Sequence, residues 1–258
     1  MSTFLLALKN RNAILYYLGW TCFMCALICG TLVAVTHIQV LGINAFIKPA
    51  KFFVSIAVFS WTMGWYTGYL QQRRAVRIYA WVIVSVMAIE MVVIVGQASQ
   101  GKLSHFNVSS SLNGILFAIM GIAITTATLW TGYIGILFMR YKPVGLSATY
   151  VWAIRLGILI FVLFAFEGFM MASRLTHTVG AADGGPGWPV TNWSTRYGDL
   201  RVAHFFGMHA LQLIPLFGYY VARRPFQVVL FSVLYLGFIT FLLIEALAGK
   251  PVLAGLGN

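Results

Sequence analysis

The stretch Asp199-Leu-Arg-Val-Ala-His204-Phe-Phe-Gly-Met-His209-Ala-Leu-Gln212 sets an acid, an arginine, two histidines and a glutamine at the start of an apolar run that continues to Ala222. Groups of this kind are expensive inside hydrocarbon, so a span that carries them marks a functional site by default. Neutral imidazole ligates iron and other transition metals, and near neutral pH it also takes up and releases protons. His204 and His209 are five residues apart, which on a helix sets the two rings about 140° apart. They cannot clamp one haem between them and are poorly placed to chelate one metal. Each needs a partner from another segment or faces a site of its own. Gly207, between them, leaves room for a flat group or a neighbouring helix.

The elements that must position these groups are membrane spans. The chain has 258 residues, 60% of them hydrophobic and only 9% charged, whereas a soluble domain carries about a quarter charged residues. The expected fold class is all-α, a polytopic bundle in the lipid bilayer. Seven runs are long enough to cross it: 13–36, 52–70, 76–98, 113–138, 148–172, 199–222 and 226–247. They form a single transmembrane domain with one long connection, 173–198. Met1–Arg11 is a short amphipathic lead, and no cleavage site follows it, so the first span is expected to stay as an anchor. No internal repeat is visible. No lysine lies within these seven runs, which excludes a retinal Schiff base. Cys22, Cys25 and Cys29 share one face of the first span and read as small residues that let helices approach.

The formal charge of +12 does not indicate nucleic acid, because the basic residues cluster in short loops between apolar runs. Nine lie at the N-terminus and in the second, fourth and sixth loops: Lys9, Arg11, Arg73, Arg74, Arg77, Arg140, Lys142, Arg223 and Arg224. Six lie opposite: Lys48, Lys51, Lys102, Arg174, Arg196 and Lys250. This bias places the N-terminus in the cytoplasm and the C-terminus outside, as for a protein of a bacterial inner membrane.

With that topology the polar groups converge on one face. Glu90 lies about 12 Å and Glu167 about 8 Å in from the outer ends of their spans; His204 and His209 lie about 8 and 15 Å in. His37 ends the first span on that side, His105 and His177 are in outer loops, and Glu245 is near a helix end where it reaches the interface. His37 has the same bland reading as an interfacial residue, and His105 and His177 as ordinary loop residues. Glu90 and Glu167 are harder to dismiss, because a carboxylate that deep must be protonated, paired or bound to a cation. Arg155 is too far along its helix to reach Glu167, which leaves Arg201, His204, His209 or a cofactor as partners.

Three functions use such a set. In the leading one the chain is a redox protein that holds haem b. His204 or His209 is an axial ligand, paired with His37, His105 or His177; outer basic residues such as Lys102, Arg174, Arg196 and Arg201 meet the propionates. Quinol is then the natural electron partner, and Glu90 and Glu167 move protons. The absence of Cys-x-x-Cys-His excludes covalent haem. Non-haem iron or another metal on the same glutamates and histidines is the alternative cofactor, although no Glu-x-x-His or His-Glu-x-x-His is present. The second function is a proton- or cation-coupled transporter that uses the buried Glu/His cluster as a relay. The third is a non-catalytic assembly subunit. Catalytic work is expected of Glu90, Glu167 and Arg201, and metal binding of His204 and His209. Substrate and oligomeric state are open.

Overall fold

The computed structural model of the chain describes residues 3–141, 143 and 145–252; Lys142, one of the nine basic residues above, lies outside them. Among the described residues the chain forms eight helices and two hairpins of two-residue strands. The apolar runs fold as helices because a backbone in lipid must satisfy its own N–H and C=O groups. Contacts gather the chain into two compact units, 1–144 and 145–258.

The first unit holds α1 (Thr3–Arg11), α2 (Ala13–Val35), α3 (Ile47–Thr67), α4 (Arg73–Ser99) and α5 (Ser111–Arg140). Asn12 separates α1 from α2. Its Oδ1 accepts from Leu15 N and its Nδ2 donates to Thr67 Oγ1, so one side chain caps α2 and ties it to the end of α3. The Arg11 guanidinium lies 4.0 Å from each of the Trp65 and Tyr69 rings. Between α2 and α3 runs a hairpin of β1 (Gln39–Val40) and β2 (Ile43–Asn44), whose two turn residues, Leu41 and Gly42, both have positive φ, as the twist of a two-residue turn requires.

Helix α3 starts at Ile47, five residues before the expected start at 52. Pro49 is the third helical residue, where a missing N–H breaks no intrahelical bond. Lys48 and Lys51 therefore lie at the start of a helix rather than in a loop, ahead of the apolar run expected from 52. Helices α4 and α5 are joined by Tyr79 Oη to Thr131 Oγ1 (3.3 Å) at one level and by Gln97 Nε2, which donates to Asn113 Oδ1 (2.9 Å), at another.

The second unit holds α6 (Ala148–Arg174), β3 (Thr178–Val179), β4 (Gly198–Asp199), α7 (Leu200–Tyr220) and α8 (Pro225–Leu247). Its core is made by Ala153, Ile160 and Phe164 of α6, Val202, Ala203, Ala210 and Ile214 of α7, and Val228, Ile239 and Leu242 of α8. Small residues let α6 and α7 approach closely: Gly207 lies against Phe164, Gly218 against Ala153, and Gly157 against Ala210 and Pro215.

The long connection is structured. Strands β3 and β4 pair antiparallel, Gly187 bridges Ser194, and Trp193 packs edge-on to Phe205 at 5.4 Å.

Helices α2, α4, α5, α6 and α8 are long and apolar enough to cross a membrane. The other two long helices have 21 residues each, but α3 begins with its two lysines and α7 carries Arg201, His204, His209 and Gln212. Many exposed positions on the apolar helices are themselves apolar, among them Val92 (74%), Ile122 (70%) and Phe226 (72%). Water would penalise such a surface and lipid would not.

Candidate functional site

The second unit brings two of the expected residues together. His204 Nδ1 lies 3.1 Å from Glu167 Oε2. The imidazole is 30% exposed and the carboxylate 4%, so the ring opens outward while the acid is sealed behind it. Helical packing fixes the pair, for a Cβ on Gly168 would stand 3.2 Å from His204 Cε1. With an ionised carboxylate as partner and a neutral ring, Nδ1 carries the proton and Nε2 keeps its lone pair. A metal-ligating histidine is oriented by this kind of second bond. The other carboxylate oxygen, Glu167 Oε1, is buried with no hydrogen-bond partner among the described residues.

His209 is half-buried on a different face. Its Nδ1 lies 3.2 Å from Gln212 Oε1, and its ring meets Phe205 at 4.3 Å. A glutamine oxygen only accepts, so Nδ1 again donates and Nε2 keeps its lone pair.

Arg201 does not reach Glu167. It is held by Asp199, with Nε 2.9 Å from Oδ1 and Nη2 2.6 Å from Oδ2, and Nη2 also donates to the Asn192 carbonyl. Asp199 is 1% exposed. It caps α7 by accepting from Arg201 N, and it accepts from Ser194 N. His177 joins the same network, with Nδ1 3.2 Å from Asp183 Oδ1 and 3.9 Å from Asp199 Oδ1. The recess beside it, lined by His177, Asn192, Ser194 and Arg201, has room for about one water molecule. Burial resists the charge on Asp183, but hydrogen bonds from Thr178 and Thr176 and the nearby His177 hold its carboxyl below the usual range.

Glu90 belongs to the first unit. It is 5% exposed, and Oε1 has no hydrogen-bond partner among the described residues. The positive neighbour whose field reaches it is Lys48 of α3. Lys48 Nζ in turn lies 3.1 Å from His105 Nδ1, which Ser104 Oγ also approaches at 3.1 Å. An ammonium can only donate, so Nδ1 accepts and the His105 proton sits on Nε2. This is the opposite tautomer from His204, and it leaves no open lone pair for a metal. Burial first, and then the Lys48 charge, push the His105 imidazole well below its usual range. His37 is exposed in the link that follows α2.

The five histidines therefore divide. His105 and His177 are engaged by their own neighbours, His37 faces outward, and His204 and His209 present an available Nε2. Among the described residues no three His, Cys, Asp or Glu side chains converge as a metal site. Sequence reading missed Lys48, Ser104 and Asp183 as partners. It also treated Asp199 only as an acid at the start of a span, although an Asp directly before an apolar run is a helix-cap signal.

An all-α chain with five membrane-length apolar helices among its described residues is an integral membrane protein in contact with the lipid bilayer. Compared with models of protein families, with characterised proteins and with solved structures, the chain matches none.

Proposed function

We propose that this is a seven-span membrane redox protein in which His204, oriented by Glu167, is an axial ligand of haem b. The observation that carries the reading is the His204–Glu167 contact, which, with Glu167 ionised, leaves the lone pair of Nε2 available on a ring that is 30% exposed. Haem suits this chain better than non-haem iron, because a porphyrin supplies four nitrogens and asks the protein for one or two axial ligands. A bare ion asks for several convergent side chains. His209, pointing elsewhere, is the candidate ligand of a second group. Quinol is the proposed electron donor: a haem held by His204 would supply one-electron chemistry, taking electrons from quinol one at a time for onward transfer to a partner acceptor, with Glu167 beside His204 a candidate proton acceptor and Glu90 a candidate proton carrier in the first unit. The proposed location is a bacterial inner membrane, with the N-terminus cytoplasmic, the C-terminus outside, and α3 and α7 completing the seven spans.

One observation favours a second reading. Glu90 and Glu167, one in each unit, each keep a buried oxygen with no hydrogen-bond partner among the described residues, which suits a group that binds a proton or cation in a coupled transporter. Elemental analysis with an absorption spectrum of detergent-purified wild type, His204→Ala and His209→Ala separates the two. The redox reading expects iron and a visible haem spectrum in wild type, reduced or lost in His204→Ala. A folded, colourless and metal-free wild type from iron-supplied cells overturns it and puts transport first; a non-catalytic assembly role would leave both assays blank.

A further inference from the structure

We infer that the groove between the first turn of α4 and the last turns of α5 is a binding site for an anionic phospholipid whose headgroup carries hydroxyls. The groove has a volume of about 480 Å³, within the range of small-molecule sites. Its lining is divided by chemistry. Gln72, Arg73 and Arg74 stand at one end, and Ile78 and Leu137 continue the wall along the two helices, with Trp130, Tyr133 and Tyr141 beside them.

Each part has a matching part in a lipid. Arg73 and Arg74 are exposed, and no ion pair among the described residues engages either one. None of the five acids in the chain lies in or next to the groove in sequence, so two positive charges are left for a ligand to neutralise. A guanidinium pair suits phosphate oxygens. The side chain of Gln72 does not cap α4, and its buried Oε1 has no hydrogen-bond partner among the described residues. An amide oxygen only accepts, so it calls for a hydroxyl donor rather than another phosphate oxygen. Ile78, 41% exposed, offers an apolar track for an acyl chain. Trp130 and Tyr133, in edge contact at 5.5 Å, are the amphipathic rings that settle at the headgroup level. Basic pockets between membrane helices recognise acidic headgroups in this way. The inference is independent of the redox reading.

The test is native mass spectrometry of the full chain released from detergent, titrated with phosphatidylglycerol or phosphatidylcholine. Wild type is expected to retain one phosphatidylglycerol at concentrations where phosphatidylcholine is lost. The double variant R73Q/R74Q should weaken that binding by about thirtyfold, from about fivefold for each basic residue near the headgroup. R73K/R74K should keep most of it, and an unchanged helical circular dichroism spectrum will show that both variants fold. Equal retention of the two lipids, or full retention by R73Q/R74Q, overturns the proposal. Displacement of the lipid by soluble glycerol phosphate at comparable concentration would also overturn it, by showing a phosphate site with no use for the acyl chain.

Discussion

His204 and Glu167 face each other across α6 and α7, Nδ1 to Oε2 at 3.1 Å, and the carboxylate is only 4% exposed. If His204 ligates haem iron, Glu167 raises the basicity of that ligand. Glu167→Gln keeps an acceptor oxygen but removes the charge. Loss of such an outer partner typically weakens metal affinity by about 10–100-fold. Haem titration of apoprotein should show weakening in that range for Glu167→Gln and no retention for His204→Ala. Identical affinity in wild type and Glu167→Gln would remove the carboxylate from the site.

Cys25 provides the matching control. Cys22 and Cys29 are buried in α2 and Cys25 is half-buried. If the three only pack, Cys25→Ser should leave bound metal unchanged. Loss of metal in that variant would point to a thiolate ligand in place of the imidazole.

Asp199 ties the long connection to α7, so its removal should loosen both. Asp199→Ala leaves Arg201 without its carboxylate, a change that costs about 3–5 kcal/mol where the pair is buried. Arg201 is 26% exposed, so the lower end of that range is expected. Protease susceptibility should rise within 180–197, and amide exchange should quicken in the first turn of α7. Asp199→Asn retains a capping oxygen and should fall between the two. A protease-resistant Asp199→Ala would show that Trp193 and its aromatic contacts hold the connection without the acid.

Much of this architecture could be read from the apolar runs, because the helix and the membrane impose the same length on every span. The expected span at 148–172 and the observed α6, Ala148–Arg174, nearly coincide. The start of α3 was not legible, since Lys48, Pro49 and Lys51 interrupt the apolar run and only the first-turn position of the proline lets the helix include them. Depth along the spans brought out Glu167 and His204, but depth carries no azimuth, and their contact spans 37 residues of sequence. The Lys48–His105 contact spans 57 residues and joins a helix to a loop, so no periodicity could announce it. Asp199 carried a local signal, the cap before an apolar run, and that signal identified a helix start but not the network around it.

Stability should fall in mild acid because of His105. The unfolded chain takes up this proton near the ordinary imidazole value of 6.5, while the folded protein, with the ring buried beside Lys48, refuses it until lower pH. Below 6.5 the unfolded state therefore binds more protons, and stability declines from there toward the folded value. Asp183 acts at lower pH. Its folded value lies below 3.8, so its contribution is intact above 3.8 and is lost as pH falls through the folded value. Thermal unfolding in detergent from about pH 8 to about pH 5 should show a declining midpoint for wild type and a flatter profile for His105→Gln. Parallel profiles would assign the loss to other groups.

The close approach of α6 and α7 supplies the last prediction. A Cβ on Gly207 would run into the Cβ and ring of Phe164, whereas one on Gly96 or Gly114 meets nothing within 4 Å. Phe164 is 3% exposed and belongs to the core of its unit, so it has little room to move aside. Gly207→Ala should therefore force the helices apart and destabilise the protein by about 1–3 kcal/mol, the usual range for overpacking. Gly96→Ala and Gly114→Ala, within the terminal turns of α4 and α5 and with open space around them, should be neutral or gain up to about 1 kcal/mol from helix propensity. Gly207 is also one turn from His204, so separating α6 from α7 should lengthen the His204–Glu167 bond. If the redox reading holds, Gly207→Ala loses haem affinity in step with Glu167→Gln. Unfolding midpoints of the three alanine variants, with haem titration of the first, test both parts. A Gly207→Ala protein as stable as wild type would mean that the seam tolerates separation and that the small residue is not what sets the His204–Glu167 distance.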